Sequence, residues 1–325
     1  MNRPSAPLLL VLLFYALCAK AQDTTADTSN NALFHIIRSG DNSALRAMLA
    51  AGADANAQQK GYSALMAASL SGTRETMQTL IEKGANVNYA NADGISALWL
   101  AVPDYEKVSL LISKGANVQQ RSRDKNTVLV KLASIPGSAA LMQLLIEHGC
   151  DPRNSGPVND IMYNAASSCD TAIVGMLIRA GVSVTDSAVG GDYPLSSALN
   201  YRCFNTLKML VDAGANVNVS PKHSFLPLFS GMTPLMWAAV GNDKPSFYYL
   251  LSHGADPKAT SPGGYTTLMF LAMAEDDDPE MTMALINKGV SPAHKAFDET
   301  DALQHALLRG NTRSVAILSK YMSNK

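Results

Sequence analysis

Apolar residues recur along this chain as pairs of short stripes, each pair closed by a glycine and followed by a polar run. Over 63–83, Leu65, Ala68 and Ser69 fall at helical spacing until Gly72 breaks the run. Met77, Leu80 and Ile81 then form a second stripe at i, i+3, i+4. Gly84 stands where a helix C-terminus needs a left-handed residue, and 85–88 (Ala-Asn-Val-Asn) supplies turn formers. The pattern predicts helix, turn, helix and an extended loop. Neither helix can bury its stripe alone, so neighbouring pairs must stack.

The closing phrase returns as LAAGADAN at 49–56, LISKGANVQ at 111–119, LVDAGANVN at 210–218 and LLSHGADPK at 250–258. Its glycines fall at 52, 84, 115, 149, 181, 214, 254 and 289, a period near 33 residues interrupted by one 40-residue spacing. GMTPLMWAAVGN at 231–242, with weaker copies GYSALMAASLSG at 61–72 and GISALWLAV at 94–102, resembles the ankyrin repeat over essentially all of 29–325. The resemblance implies an all-α fold, an ankyrin-repeat solenoid of about nine helix-turn-helix units with projecting loops. The units divide at 29–60, 61–93, 94–124, 125–157, 158–190, 191–230, 231–263, 264–298 and 299–325. The first and last are atypical, as caps should be.

Two departures from the family pattern matter. The histidine that usually follows Thr-Pro-Leu is replaced throughout, by Met66, Trp99, Val130, Tyr163, Ser196, Met236, Met269 and Gln304. Less regular stacking is therefore expected, above all over 125–190. The long spacing places about seven extra residues within 219–230, including Phe225, Leu226 and Phe229. Such a cluster either meets a partner or folds back over the neighbouring loops.

The N-terminus reads differently. Arg3 precedes an unbroken apolar run from Leu8 to Leu17, and Ala19-Lys20-Ala21 offers a cleavage site. Ten apolar residues are too few to span a bilayer core, which needs about 20. Residues 1–21 are therefore expected to be a signal peptide, and 22–28 a flexible tether. Cys18 lacks the small preceding residue of a lipoprotein signal. The expected location is periplasmic, with full secretion as the alternative, and no integral membrane segment is expected after cleavage. Nine units account for nearly all that remains, so one ankyrin-repeat domain is expected at 29–325, not the two domains that 325 residues suggest.

Composition narrows function more than fold. A formal net charge of −1 and 16% charged residues leave no basic stripe for nucleic acid. No nucleophile elbow, zinc-binding helix motif, C-x-x-C, dinucleotide fingerprint or P-loop is present. No enzyme activity, cofactor or metal is therefore expected. His148 and His253 precede repeat glycines, where an imidazole can cap helix carbonyls. The acidic run 275–280 reads as a solvated turn opening a second helix. Cys150 reads as a small buried residue. Cys169 and Cys203 fall near equivalent turns of adjacent units. Packed helices lie about 8–10 Å apart and a disulfide needs Cα atoms within about 7 Å, so a bridge requires irregular turns.

Loop and helix-end positions that the family uses for recognition carry Tyr62, Leu70, Ile95, Ile135, Tyr201, Met232 and Tyr265. With Phe225, Leu226 and Phe229 they form the candidate partner-binding set, and a surface of this kind suits a protein. Trp99 and Trp237 are expected in the core. The expected function is an exported, non-enzymatic protein-binding module, monomeric when free, acting as an inhibitor or immunity protein against a toxin or effector. The alternatives are a periplasmic scaffold or holdase in stress protection and a secreted, host-directed effector.

Overall fold

The computed structural model describes residues 28–156, 160–188, 191–221 and 230–323. Eighteen helices occur among them, in nine consecutive pairs. The first four pairs are α1 (Thr28–Ser39) with α2 (Asn42–Ala50), α3 (Ala64–Ser71) with α4 (Arg74–Glu82), α5 (Ala97–Ala101) with α6 (Tyr105–Ser113), and α7 (Val128–Ala133) with α8 (Ala139–Glu147). Next come α9 (Asp160–Ser167) with α10 (Thr171–Arg179), α11 (Pro194–Asn200) with α12 (Phe204–Asp212), and α13 (Pro234–Val240) with α14 (Lys244–Ser252). The last two are α15 (Thr267–Ala272) with α16 (Pro279–Asn287), and α17 (Ala302–Arg309) with α18 (Thr312–Ser323). One short antiparallel ladder, β1 (Gln58–Gln59) against β2 (Tyr62–Ser63), is the only sheet among the described residues. The fold is all-α and built from the predicted repeat. The chain divides into two compact units, one reaching Ser134 and including Ala140–Asp151, the other comprising Ile135–Ala139 and everything from Pro152 onward.

Local chemistry sets each helix boundary. The Ser63 hydroxyl accepts from the Met66 N–H at 3.2 Å, and the Thr73 hydroxyl from the Thr76 N–H at 3.1 Å, starting α3 and α4. Asp104 and Asp243 do the same for α6 and α14. At the other end Gly84 N–H donates to Ile81 and Ala85 N–H to Leu80, a Schellman closure. All eight repeat glycines lie between φ +78 and +98. At six of them, Gly52, Gly84, Gly115, Gly149, Gly214 and Gly254, a Cβ would meet nothing within 4 Å. The conformation demands glycine there, not the space.

Helices this short do not hold together in water without packing. In the second pair Leu65, Met66, Met77 and Leu80 are all buried, as are Leu235, Met236, Phe247 and Leu250 in the seventh. Each such side chain contributes roughly 1.5–3 kcal/mol by leaving water. First helices pack on first helices, α3 on α5 and α13 on α15, and second on second, α4 on α6.

Polar rungs fix the register between turns. The fourth residue past the glycine is an asparagine at Asn56, Asn88 and Asn218, and its amide spans to the next turn. Asn56 Nδ2 donates to Gly84 O (3.0 Å) while its Oδ1 accepts from Asn86 N–H (2.7 Å). Asn88 repeats both bonds to Gly115 and Asn117, and Asn218 repeats them to Gly254 and Asp256. The second residue past the glycine closes the turn beneath, as Asn86 Oδ1 accepts from Asn88 N–H at 2.9 Å. These rungs restore order that the missing histidines were expected to cost. Met236 and Met269 also use the histidine position themselves, each turning its sulfur toward the N–H of the capping Thr233 or Thr266. Within 125–190, where irregularity was expected, Thr127 heads α7 without a side-chain cap bond.

Lys131 is the least expected interior group. Its Nζ donates to Trp99 O (2.7 Å) and Val102 O (3.3 Å), carbonyls at the end of α5, and lies 6.0 Å from the centre of the Trp99 ring. Burial pushes its ammonium down to about 8.

Two predictions follow from this packing. Replacing Asn88→Ala removes a donor and an acceptor shared by two turns, and should cost about 1–3 kcal/mol. The check is a denaturant midpoint that falls with the slope unchanged; an unmoved midpoint would show that the rungs are ornamental. For Lys131, the unfolded side chain titrates near 10.4, so between about 8 and about 10.4 the unfolded chain holds more protons than the folded one. Stability from this group therefore rises with pH across that window. The stability difference between the wild type and Lys131→Met should grow in the wild type's favour over the same range; a flat difference would overturn the assignment.

Candidate protein-binding surface

Hairpins join the pairs, and their backbone is tied at both levels. Asn91 N–H donates to Ile95 O (3.0 Å), Ser261 to Tyr265 O (2.9 Å) and Ala296 to Thr300 O (2.9 Å). Consecutive hairpins are also bonded, Phe297 N–H to Gly263 O at 3.0 Å. Side chains on these hairpins and at the helix ends are therefore displayed from fixed backbone.

The predicted residues divide sharply. Tyr201 is exposed, at 45%, in the turn after α11. Tyr62, Leu70, Ile95 and Ile135 are half-buried, their outer edges still in water. Met232 is not a surface residue. It is fully buried with Met236 and Phe270 in a cluster flanked by Trp237, Val240 and Tyr265. Unbranched Met232 fills the space beside Phe270 readily. Tyr265 is half-buried against the same cluster, its ring 5.8 Å from Phe270. Its hydroxyl donates to Asp298, which also accepts from Thr300. The Thr300 and Tyr265 bonds hold the Asp298 carboxyl at about 2. Tyr265 is thus tied into the framework more than offered to a partner. Phe225, Leu226 and Phe229 lie outside the described residues. Trp99 and Trp237 are half-buried, not core.

Cys169 and Cys203 are joined by a disulfide with Cα atoms 5.0 Å apart. Both sulfurs lie within 3.8 Å of the Tyr201 carbonyl oxygen. Cys150 is buried with its thiol donating to Val118 O at 3.2 Å, and burial pushes it up to about 11. The ring nitrogens of His148 and His253 meet the carbonyls of Leu144 and Tyr249, each at 2.8 Å, as helix-end caps do. The acidic run is only partly a solvated turn. Asp277 accepts from the backbone of Arg313 (2.7 Å) and Ser314 (3.1 Å), while Asp278 caps α16 and pairs with Lys244 at 3.0 Å. Those carboxylates tie neighbouring pairs together.

Sequence reasoning missed other exposed apolar groups. Phe297 is 82% exposed at a hairpin tip, three residues before Thr300, the position equivalent to Ile95 and Tyr265. Leu307 and Leu308 are 59% and 82% exposed on α17. Leu307 stands where Ala239 and Ala272 are buried in the two preceding units, but Leu199 is buried at the same position, so residue size gave no signal of its exposure. Tyr248, with Leu251 and Ala284, lines a groove of about 450 Å³ between α14 and α16. Among the described residues no group of three His, Cys, Asp or Glu side chains is placed to hold a metal ion. No described helix is long and apolar enough to cross a membrane.

A family model described as "Ankyrin repeats (3 copies)" matches residues 6–91 and 161–261. The first match reaches back into the stretch read as a leader. The E3 ubiquitin-protein ligase KEG of Arabidopsis thaliana is 28% identical over 301 residues, 89% of this chain and 18% of that protein. The ankyrin repeat and KH domain-containing protein mask-1 of Caenorhabditis elegans is 30% identical over 264 residues, 80% of this chain and 10% of that protein. The chain thus spans less than a fifth of either relative.

The corrected place of Met232 is open to measurement. Met232→Ala should cost about 2–5 kcal/mol by opening a cavity beside Phe270. Phe297→Ser, at an exposed tip, should stay within about 0.5 kcal/mol. Equal effects in thermal or chemical unfolding would contradict the assigned burial.

Proposed function

The chain belongs to the ankyrin-repeat family, and on that premise we propose that it works by gripping one protein partner and performs no chemistry itself. Ankyrin repeats generally mediate protein–protein interaction, so the family supports binding in general. The observation that carries the reading for this chain is the display of large apolar side chains from hydrogen-bonded backbone. Tyr201 is 45% and Phe297 82% exposed, each with its backbone N–H already engaged, by Ser197 O and Gly263 O. Rigid aromatic side chains lose little freedom on binding, which is why they dominate interface energetics.

The finer reading is an exported inhibitor, of the kind that neutralises a toxin or effector. It draws on the charged, apolar and small-residue order of 1–21. A disulfide between Cys169 and Cys203 suits an oxidising compartment such as the periplasm. The match of 6–91 to the repeat family pulls the other way for 6–21, and the mature N-terminus decides between them.

The test expresses the full gene product, reads its mature N-terminus by mass spectrometry and uses it as bait in periplasmic extract. A chain beginning at Gln22 and one stoichiometric partner are expected. Tyr201→Ala and Phe229→Ala should each weaken that complex about tenfold or more while the melting temperature stays within about 2 °C. A retained Met1 would remove the export reading. Recovery of no partner, or of many weak ones as a holdase would give, would remove the inhibitor reading. Parallel losses of binding and stability would make Tyr201 structural.

A further inference from the structure

Two residues depart from local rules at one junction of the second unit. Cys203 occupies the N-cap of α12 without a side-chain cap bond, where Asp170, Asp243 and Asp278 cap the second helices of other pairs. Cys169 sits in a left-handed conformation, φ +57, at a turn position filled by Gly40, Asn242 and Gly310 elsewhere. Each choice weakens its own turn. What the two cysteines make together is the disulfide that joins consecutive pairs. As at Arg153 and Lys258, no asparagine rung stands at this junction: Thr185 holds its place and bonds Ser183 of its own turn at 3.1 Å.

We propose that the Cys169–Cys203 bond is a reducible clasp, a site of exchange with a dithiol reductant that sets the order of the α11–α12 pair. The two sulfurs are not equivalent. Cys169 is exposed, whereas Cys203 is 5% exposed. The attacking thiolate therefore bonds to Cys169 Sγ, and the S–S bond breaks toward Cys203. Cys203 leaves with the electron pair at the start of α12, where the helix dipole favours a thiolate. It then takes a proton from water. The second thiol of the reductant, deprotonated, attacks the mixed disulfide and releases Cys169, which is protonated in turn. The reductant ends as a disulfide and this protein as two thiols, two electrons having moved between them. The Tyr201 carbonyl lies against both sulfurs, so opening the clasp loosens the turn that displays Tyr201. Only this last consequence for binding rests on the proposed function; the exchange chemistry does not.

The experiment uses the full chain purified without reductant. Peptide mapping should show Cys169 linked to Cys203 and Cys150 as a free thiol. Brief exposure to glutathione should place the adduct on Cys169 over Cys203 by about tenfold or more, following accessibility. Reduction with dithiothreitol should speed amide exchange across 194–212 by about tenfold or more, leaving 64–113 unchanged. The double variant Cys169→Gly with Cys203→Asp restores a permissive turn residue and a cap, and should fold and ignore the reductant. Unlinked cysteines in the purified protein, adducts on Cys203, or unchanged exchange after reduction would each overturn the proposal. So would a double variant that still responds. Should that variant fail to fold, the oxidised and reduced wild type decide the question alone.

Discussion

An asparagine amide that reaches from one turn to the next, as at Asn56, Asn88 and Asn218, fixes the register on which stacking depends there. Asn88 gives its N–H to Gly115 O and takes the Asn117 N–H on its oxygen. Two adjacent turns are then held at one spacing and in one register. That spacing sets how far apart successive helix pairs stand, and so whether their apolar faces meet. Helices of five to nine residues cannot form first and pack later. Bonding between turns and burial between helices must therefore arise together, and the thin interior of Leu65, Met77, Leu80 and their counterparts is a consequence of both.

What was legible in the sequence follows from how far each cause reaches along the chain. Helix ends were readable because a cap or a left-handed glycine acts within four residues, as at Ser63 and Gly84. Alternating stripes were readable because stacking repeats the same demand about every 33 residues. The rungs were half-legible: the asparagines were visible as turn formers, but their bonds run 27 to 38 positions away. Burial at single loop positions was not legible. Tyr62, Ile95, Met232 and Tyr265 share one place in the repeat, yet only Met232 is fully buried. The difference lies in what the neighbouring unit offers, here Phe270, and no local pattern encodes that.

The same reasoning explains why the display surface is harder to read than the scaffold. A scaffold position meets the same demand for burial in successive units, as Ser69, Val102, Ala133, Ala166, Leu199, Ala239 and Ala272 do at one place in the repeat. A display position is free to differ from unit to unit because nothing in the stack depends on it. Phe297 illustrates this: its backbone N–H secures the neighbouring hairpin while its side chain stands 82% exposed. Backbone and side chain answer to different demands at one residue. Candidates chosen by position alone will therefore mix framework residues such as Tyr265 with display residues such as Tyr201.

The junction between the fifth and sixth pairs lacks the asparagine rung and carries a covalent bond instead. Thr185 is too short to reach across as asparagine does, and its hydroxyl turns back to Ser183. The structure joins those pairs at the opposite end of their helices, through Cys169 and Cys203. A hydrogen-bonded rung re-forms whenever its partners return. A disulfide is far stronger while it lasts, but its persistence depends on the reductants around it. Exchanging one for the other makes this junction alone answerable to redox conditions, and it is the junction whose turn carries Tyr201.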